Sequence, residues 1–228
     1  MKIDKVTLAF WNKIVLKEID LEIEPWEFVF FIWHSWSWKT TLIRSIIGDF
    51  KPLWWDIILD NWISLYKNFS EEILLNYRRN SWVIFQDYKL LNSKKVYENV
   101  AFAMEVCWYD DTIIRKKVPE ALEQVWLLIK KDKFVFELSG WEKQRVAIAR
   151  ALVNNPSIII WDEPTWNLDP MTSMEIMNIF SDLNKTYWKT VILATHDKHI
   201  VDSMNKRVIS FDWKSVTSDE QTWIYKLV

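Results

Sequence analysis

The sequence predicts an α/β fold: a mostly parallel core sheet, an antiparallel N-terminal subsheet, and a helical lobe inserted in the core at about residues 87–138. Three observations carry this. Residues 28–33 (FVFFIW) and 157–163 (SIIIWDE) are short apolar runs, the pattern of strands buried on both faces of a parallel sheet. Residues 2–10 and 14–23 alternate apolar and polar positions, as half-buried antiparallel strands do. Residues 96–128 repeat with a helical period, Asp110 and Asp111 opening one helix and Lys116 and Lys117 following along it. All 228 residues are expected to form one domain around its own core.

Composition narrows the function. A formal net charge of −2 and a pI near 6.0 lack the clustered basic charge of a nucleic-acid footprint, so no nucleic-acid partner is expected. The lone Cys107 cannot form an internal disulfide and fits a reducing compartment. The opening MKIDKVTLAF has no apolar run of signal-peptide length, and no stretch approaches the ~18 apolar residues of a membrane span. Any membrane association is therefore expected to run through another subunit. The unusual feature is 2 Gly beside 17 Trp. Glycine ordinarily makes up about 7% of a chain, and the two types together make roughly 8% of this one.

In chain order, the first two strands meet at Trp11, with Phe10 just before the turn, read either as a core aromatic or as a ring for stacking on an adenine. Trp26 sits in a turn, EPWEF. Residues 31–42, FIWHSWSWKTTL, become a phosphate-binding loop, G-x-x-x-x-G-K-[ST], if glycine stands at Trp33, Trp36 and Trp38. Such a loop closes backbone N–H groups around phosphates and needs positive φ and no side chain where the ligand approaches, so three indoles would fill it. Lys39, Thr40 and the preceding strand are intact. Residues 41–47 read as the helix the loop caps, ending at Gly48. Strands return over 56–65, with Trp54, Trp55 and Trp62 expected at turns, and Ser70, Glu71 and Glu72 start a short helix over 70–79.

Gln86 closes a further apolar strand, as a polar edge residue or as a ligand. LSGWEKQR at 138–145 leads into an amphipathic helix that Ser139 is placed to cap. Asp162 and Glu163 end a parallel-type strand, where carboxylates face the ligand crevice. There Asp162 can hold Mg²⁺ and Glu163 can orient or deprotonate a water. A helix over 171–183 follows, then Trp188 at its end and a strand over 190–194 running into His196, read either as a structural histidine or, from its place at the strand end, as one positioned to touch a γ-phosphate. Trp213 in FDWKS reads as a hairpin turn.

The tryptophans are thus expected at turns and loops, where glycine belongs. We read the chain as the product of a gene that writes glycine as UGA, with UGA rendered as tryptophan. A designed replacement or a decayed pseudoenzyme are the rival readings, and decay would also have struck the intact Lys, Asp, Glu and His positions.

Taken together, the loop at 33–40, Gln86, LSG(W)EKQR, the strand ending at Asp162, and DEPTWNLDP followed by ATHD resemble the nucleotide-binding subunits of ABC-type ATPases along essentially the whole chain. The departures are the glycine positions Trp33, Trp36, Trp38 and Trp141. The resemblance implies a P-loop NTPase fold and an ATPase that takes ATP and Mg²⁺. It implies that Trp33, His34, Ser35, Trp36, Ser37, Trp38, Lys39, Thr40 and Thr41 form the nucleotide loop. Phe10 would serve the adenine, and Ser139, Gly140, Trp141 and Asp169 would make further nucleotide contacts. Thr40, Asp162 and Gln86 would serve the metal, and Glu163, His196 and Gln86 the catalysis. Residues 83–106, 151–160, 162–170 and 194–209 look most like the FtsE-type cell-division branch. That branch implies an FtsX-like integral membrane partner, a homodimer in the ATP-bound state, and a peripheral place on the cytoplasmic face of the plasma membrane. The alternative is the ATPase of a lipoprotein-release or macrolide or peptide exporter.

Overall fold

The computed structural model describes residues 1–10, 13–33, 38–59, 63–67, 70–165, 168–212 and 214–221, with Trp55 by its backbone alone. Strands and helices are numbered in chain order. β1 (Lys2–Phe10) lies between β2 (Lys13–Glu22) and β4 (Trp54–Ile58), antiparallel to both. The second sheet has the order β5 (Ser81–Ile84), β6 (Ile158–Asp162), β7 (Thr190–Ala194), β3 (Phe28–Trp33), β8 (Arg207–Asp212), β9 (Ser215–Glu220). Its first five strands are parallel and β9 runs antiparallel to β8.

Strand alternation sends neighbouring side chains to opposite faces and builds two cores. Phe28, Phe30, Ile32, Ile159, Trp161, Val191 and Leu193 face α3 (Val96–Glu105), α4 (Asp111–Gln124), α5 (Gly140–Leu152), α6 (Pro170–Tyr187) and α7 (Lys198–Met204). Val29, Phe31, Ile160, Ile192, Ile209 and Phe211 face α1 (Lys39–Ile46), α2 (Glu71–Asn80) and the antiparallel sheet. Both α3 and α4 fall inside the expected helical lobe.

Local chemistry sets the element ends. Ser139 caps α5 by a reciprocal box: its Oγ accepts from Glu142 N (3.3 Å) and its N donates to Glu142 Oε2 (3.0 Å). Asp169 caps α6 through Met171 N and Thr172 N with Pro170 at N1, and Asp197 caps α7 through His199 N and Ile200 N. α1 ends at Gly48, which has φ +73°, and a Cβ there would meet Leu74 Cδ1 at 2.3 Å.

The tryptophans divide. Trp26, Trp108, Trp126 and Trp188 take left-handed backbone at φ 65°, 62°, 54° and 54°, and all four rings are exposed. A β-carbon in that region costs roughly 1–2 kcal/mol, which is why glycine is its usual occupant. Trp108 divides the expected 96–128 helix into α3 and α4, and Trp188 stops α6, which runs past 183 because nothing before that residue breaks it. The expectation of turns fails elsewhere. Trp54 and Trp55 lie in β4, Trp82 in β5, Trp33 ends β3, and Trp141 sits in the first turn of α5. Trp161 lies inside β6, fully buried and edge-on to Phe180 at 5.1 Å. The turn residues around these positions mark where strands begin, and pairing carries the strands through the indoles. Trp11, Trp36, Trp62, Trp166, Trp213 and Trp223 lie outside the described residues.

Candidate nucleotide site

Parallel β3, β5, β6 and β7 point their C-terminal ends to one edge of the sheet, and the chemistry-bearing side chains are the residues that follow. Register fixes them further. Asp162 pairs with Ala194, which pairs with Phe31. Glu163 N then donates to Ala194 O at 2.8 Å and Thr195 N to Phe31 O at 3.0 Å.

Lys39 opens α1 and turns its ammonium onto the β6 end. Its Nζ lies 2.9 Å from Asp162 Oδ1 and donates to Glu163 Oε1. Thr40 Oγ1 donates to Asp162 Oδ2 at 2.8 Å. His196 Nδ1 reaches Glu163 Oε1 at 2.9 Å, and Thr195 Oγ1 donates to Glu163 Oε2 at 3.4 Å. Lys39, Asp162 and Glu163 are all buried, while the His196 ring is half exposed. Glu163 itself has φ 55°. A non-glycine residue held there stores roughly 1–3 kcal/mol, a strain that surrounding structure must enforce.

In front of this cluster opens a cavity of about 530 Å³ lined by Thr40, Phe85, Gln86, Asp87, Lys89 and Asp162. It brings Gln86 to the same space as the Thr40 hydroxyl and the Asp162 carboxylate. Asp162 Oδ1 is buried, lies 2.9 Å from the Lys39 ammonium as an ion pair and accepts no hydrogen bond. A carboxylate beside a hydroxyl at the mouth of this cavity suits Mg²⁺, which takes one or two protein oxygens and completes its shell with water and substrate phosphates. Among the described residues no group of three or more His, Cys, Asp and Glu forms a larger metal cluster.

The remaining predicted residues fall in three groups. His34, Ser35, Trp36 and Ser37 lie outside the described residues. Phe10 packs on Phe50 at 4.8 Å and on Trp38 at 6.2 Å, beside the start of α1, and Thr41 is buried within α1. Trp33 stacks on Phe211 at 4.2 Å. Ser139, Gly140 and Trp141 belong to another region, at the start of α5. Lys130 binds Glu142 there, and the Arg145 guanidinium sits 3.4 Å from the Trp141 ring centre. The Asp169 carboxylate is engaged in capping α6, and its bonds to the Thr172 hydroxyl and backbone hold its pKa below the usual value. The buried indole N–H groups of Trp33, Trp141 and Trp161 have no hydrogen-bond partner, an unusual state for buried tryptophan. Sequence reading did not single out Thr195, whose hydroxyl supports Glu163. The spacing ATHD held that signal, one residue before His196.

Comparison with known proteins fits this geometry. Residues 16–166 match the family model described as ABC transporter. The chain is 42% identical to the cell division ATP-binding protein FtsE of Mycobacterium tuberculosis, covering 98% of this chain and 96% of that one. It is 40% identical to FtsE of Bacillus subtilis, covering 99% and 98%. It superposes on the dimeric ATP-binding cassette MJ0796 in a post-hydrolysis state bound to ADP and Pi, with TM-score 0.85, 31% identity, and coverage of 98% and 99%. The chain belongs to the ABC transporter family, as one of its ATP-binding subunits that hydrolyse ATP with Mg²⁺.

Proposed function

We propose that this subunit is FtsE-like and acts in cell division with an FtsX-like integral membrane partner, as a single domain held peripherally at the cytoplasmic face of the membrane. The observation that carries this is 42% identity to a cell-division FtsE over nearly the whole of both chains. No helix among the described residues is long and apolar enough to cross a membrane, which fits attachment through a partner.

In this reading Lys39 and the loop before it bind the β- and γ-phosphates at the α1 N-terminus, and Phe10 stacks on the adenine. Thr40 and Asp162 would hold Mg²⁺, which would supply positive charge beside the phosphates. Gln86 senses metal and water, His196 meets the γ-phosphate, and Glu163 takes a proton from the attacking water. Two subunits sandwich two nucleotides, with Ser139, Gly140, residue 141 and Asp169 of one completing the site of the other. Lying at the start of α5, away from the Lys39 cluster, fits Ser139 to serve the other subunit.

The reading requires glycine at the tryptophan positions. Left-handed backbone at Trp26, Trp108, Trp126 and Trp188, and unpartnered buried indoles at Trp33, Trp141 and Trp161, support it. Peptide mass spectrometry of the native protein over residues 31–42 is expected to return glycine at 33, 36 and 38, from UGA codons. Tryptophan there, or UGG codons, would refute it. The tryptophan-bearing chain is expected to bind no ATP.

The test of the mechanism uses the glycine-bearing protein. Glu163→Gln is expected to keep ATP affinity, lose turnover about 100-fold or more, and accumulate as an ATP-dependent dimer by light scattering. Turnover near wild type would remove Glu163 from its role. A monomer under those conditions would remove the sandwich.

A further inference from the structure

Gln86 stands on a turn that a distant helix holds. After β5 the chain runs through Phe85, Gln86 and Asp87 to Tyr88 and Lys89, and these last two are both left-handed, at φ 55° and 46°. Neither is glycine or asparagine, so the conformation needs external support. Local bonds close the turn on itself: Tyr88 N donates to Phe85 O at 2.9 Å, Lys89 N to Asp87 O at 2.6 Å, and Lys89 Nζ pairs with Asp87 Oδ2 at 2.5 Å. From outside, the Tyr88 ring packs against the main core, and the backbone of the turn is held by Arg150, near the end of α5. Its Nη1 donates to Lys89 O at 2.7 Å and its Nη2 to Tyr88 O at 2.5 Å.

A guanidinium is a rigid plane, so two of its N–H groups on successive carbonyls fix the orientation of two peptide planes together. A lysine ammonium, a single point of charge, cannot. Arg150 is half-buried, and desolvation lowers its pKa from the usual value, so these carbonyls also meet part of the hydrogen-bonding need of a charge partly withdrawn from water. The same helix carries Ser139 at its cap and, through the Gln144 amide, donates to Pro164 O next to Glu163. Arg150 lies about 15 Å along the helix axis from Gly140.

We propose that Arg150 is a positioning residue for ATP hydrolysis: it holds the Tyr88–Lys89 turn so that Gln86 faces Thr40 and Asp162, and it ties that placement to the helix bearing Ser139. This rests on the reading of Gln86 as the sensor of metal and water.

The test measures kcat, the Mg²⁺ concentration for half-maximal activity, and affinity for a fluorescent ATP analogue. It uses the full-length glycine-bearing protein carrying Arg150→Ala or Arg150→Lys, each with and without Gln86→Ala. Melting temperature reports folding, and Arg150→Lys, which keeps stem and charge, serves if Arg150→Ala does not fold. Both Arg150 variants are expected to lower kcat about 10- to 100-fold and raise the Mg²⁺ requirement, while nucleotide affinity stays within about twofold of wild type. In the Gln86→Ala background either change is expected to add little further loss, since a residue acting through Gln86 has nothing left to position. A purely structural role would give the same loss in both backgrounds, and that result overturns the proposal, as does wild-type kcat in both Arg150 variants. Wild-type kcat in Gln86→Ala alone overturns it too, by removing the sensor. Turnover by the wild-type protein alongside keeps that failure distinct from failure of the ATPase itself.

Discussion

Glu163 and Trp108 share a left-handed backbone for opposite reasons. Glu163 is held there by its neighbours: its N–H is committed to Ala194 O and its carboxylate to Lys39, His196 and Thr195. Strain enforced from several sides aims a side chain, here at the sheet edge. Trp108 has no such enforcement, its ring 88% exposed at the turn between α3 and α4. Relief of its β-carbon is worth about 1–2 kcal/mol, against about 0.5–1 kcal/mol for the greater freedom of unfolded glycine. Trp108→Gly in the tryptophan-bearing chain is therefore expected to stabilise by about 0.5–1 kcal/mol and to raise Tm by roughly 2 °C. A fall in Tm on calorimetry would show the ring to be supporting the turn. The sequence marked Glu163 as functional from its strand-end position but gave no sign of its φ, because the strain comes from partners more than thirty residues away.

Among the elements, the edge of the sheet is fastened by one cation. Arg207, at the start of β8, grips Glu27 just before β3 through Nη1 at 2.8 and 2.9 Å, and Asp219 on β9 through Nε and Nη2 at 2.7 and 2.6 Å. Its Nη1 also donates to Glu22 O at the end of β2, joining the two sheets. These carboxylates, Asp219 foremost, raise the guanidinium pKa above its usual value. Removing the cation leaves the largely buried Glu27 carboxylate without its partner, beside the more exposed Asp219. Arg207→Ala is expected to destabilise by about 3 kcal/mol in chemical denaturation, since breaking a largely buried pair strands a charge. A loss below about 1 kcal/mol would class it with exposed surface pairs. Such ties were illegible in the sequence: Arg207 and Glu27 are 180 positions apart, and nothing in the spacing of either names the other.

At the scale of the whole molecule, much of the site was legible because parallel strands end on a common edge. Lys-Thr after the loop that follows one apolar run, and Asp-Glu and Thr-His at the ends of two others, could be placed before any contact was known, and Lys39, Thr40, Asp162, Glu163 and His196 do meet. What stayed hidden was set by packing. Trp161 fell among the tryptophans expected at turns and loops and is core, and Arg150 read as one more residue of an amphipathic helix. The exposed rings of Trp26, Trp54, Trp108, Trp126 and Trp188 have an optical consequence. A chain built with them would fluoresce strongly and far to the red, as indoles in water do. With glycine at all 17 positions the protein would contain no indole, and its near-ultraviolet absorption would come chiefly from its 7 tyrosines. An ordinary emission spectrum of the purified native protein, tyrosine-like and lacking the indole band, would then report how its gene is read.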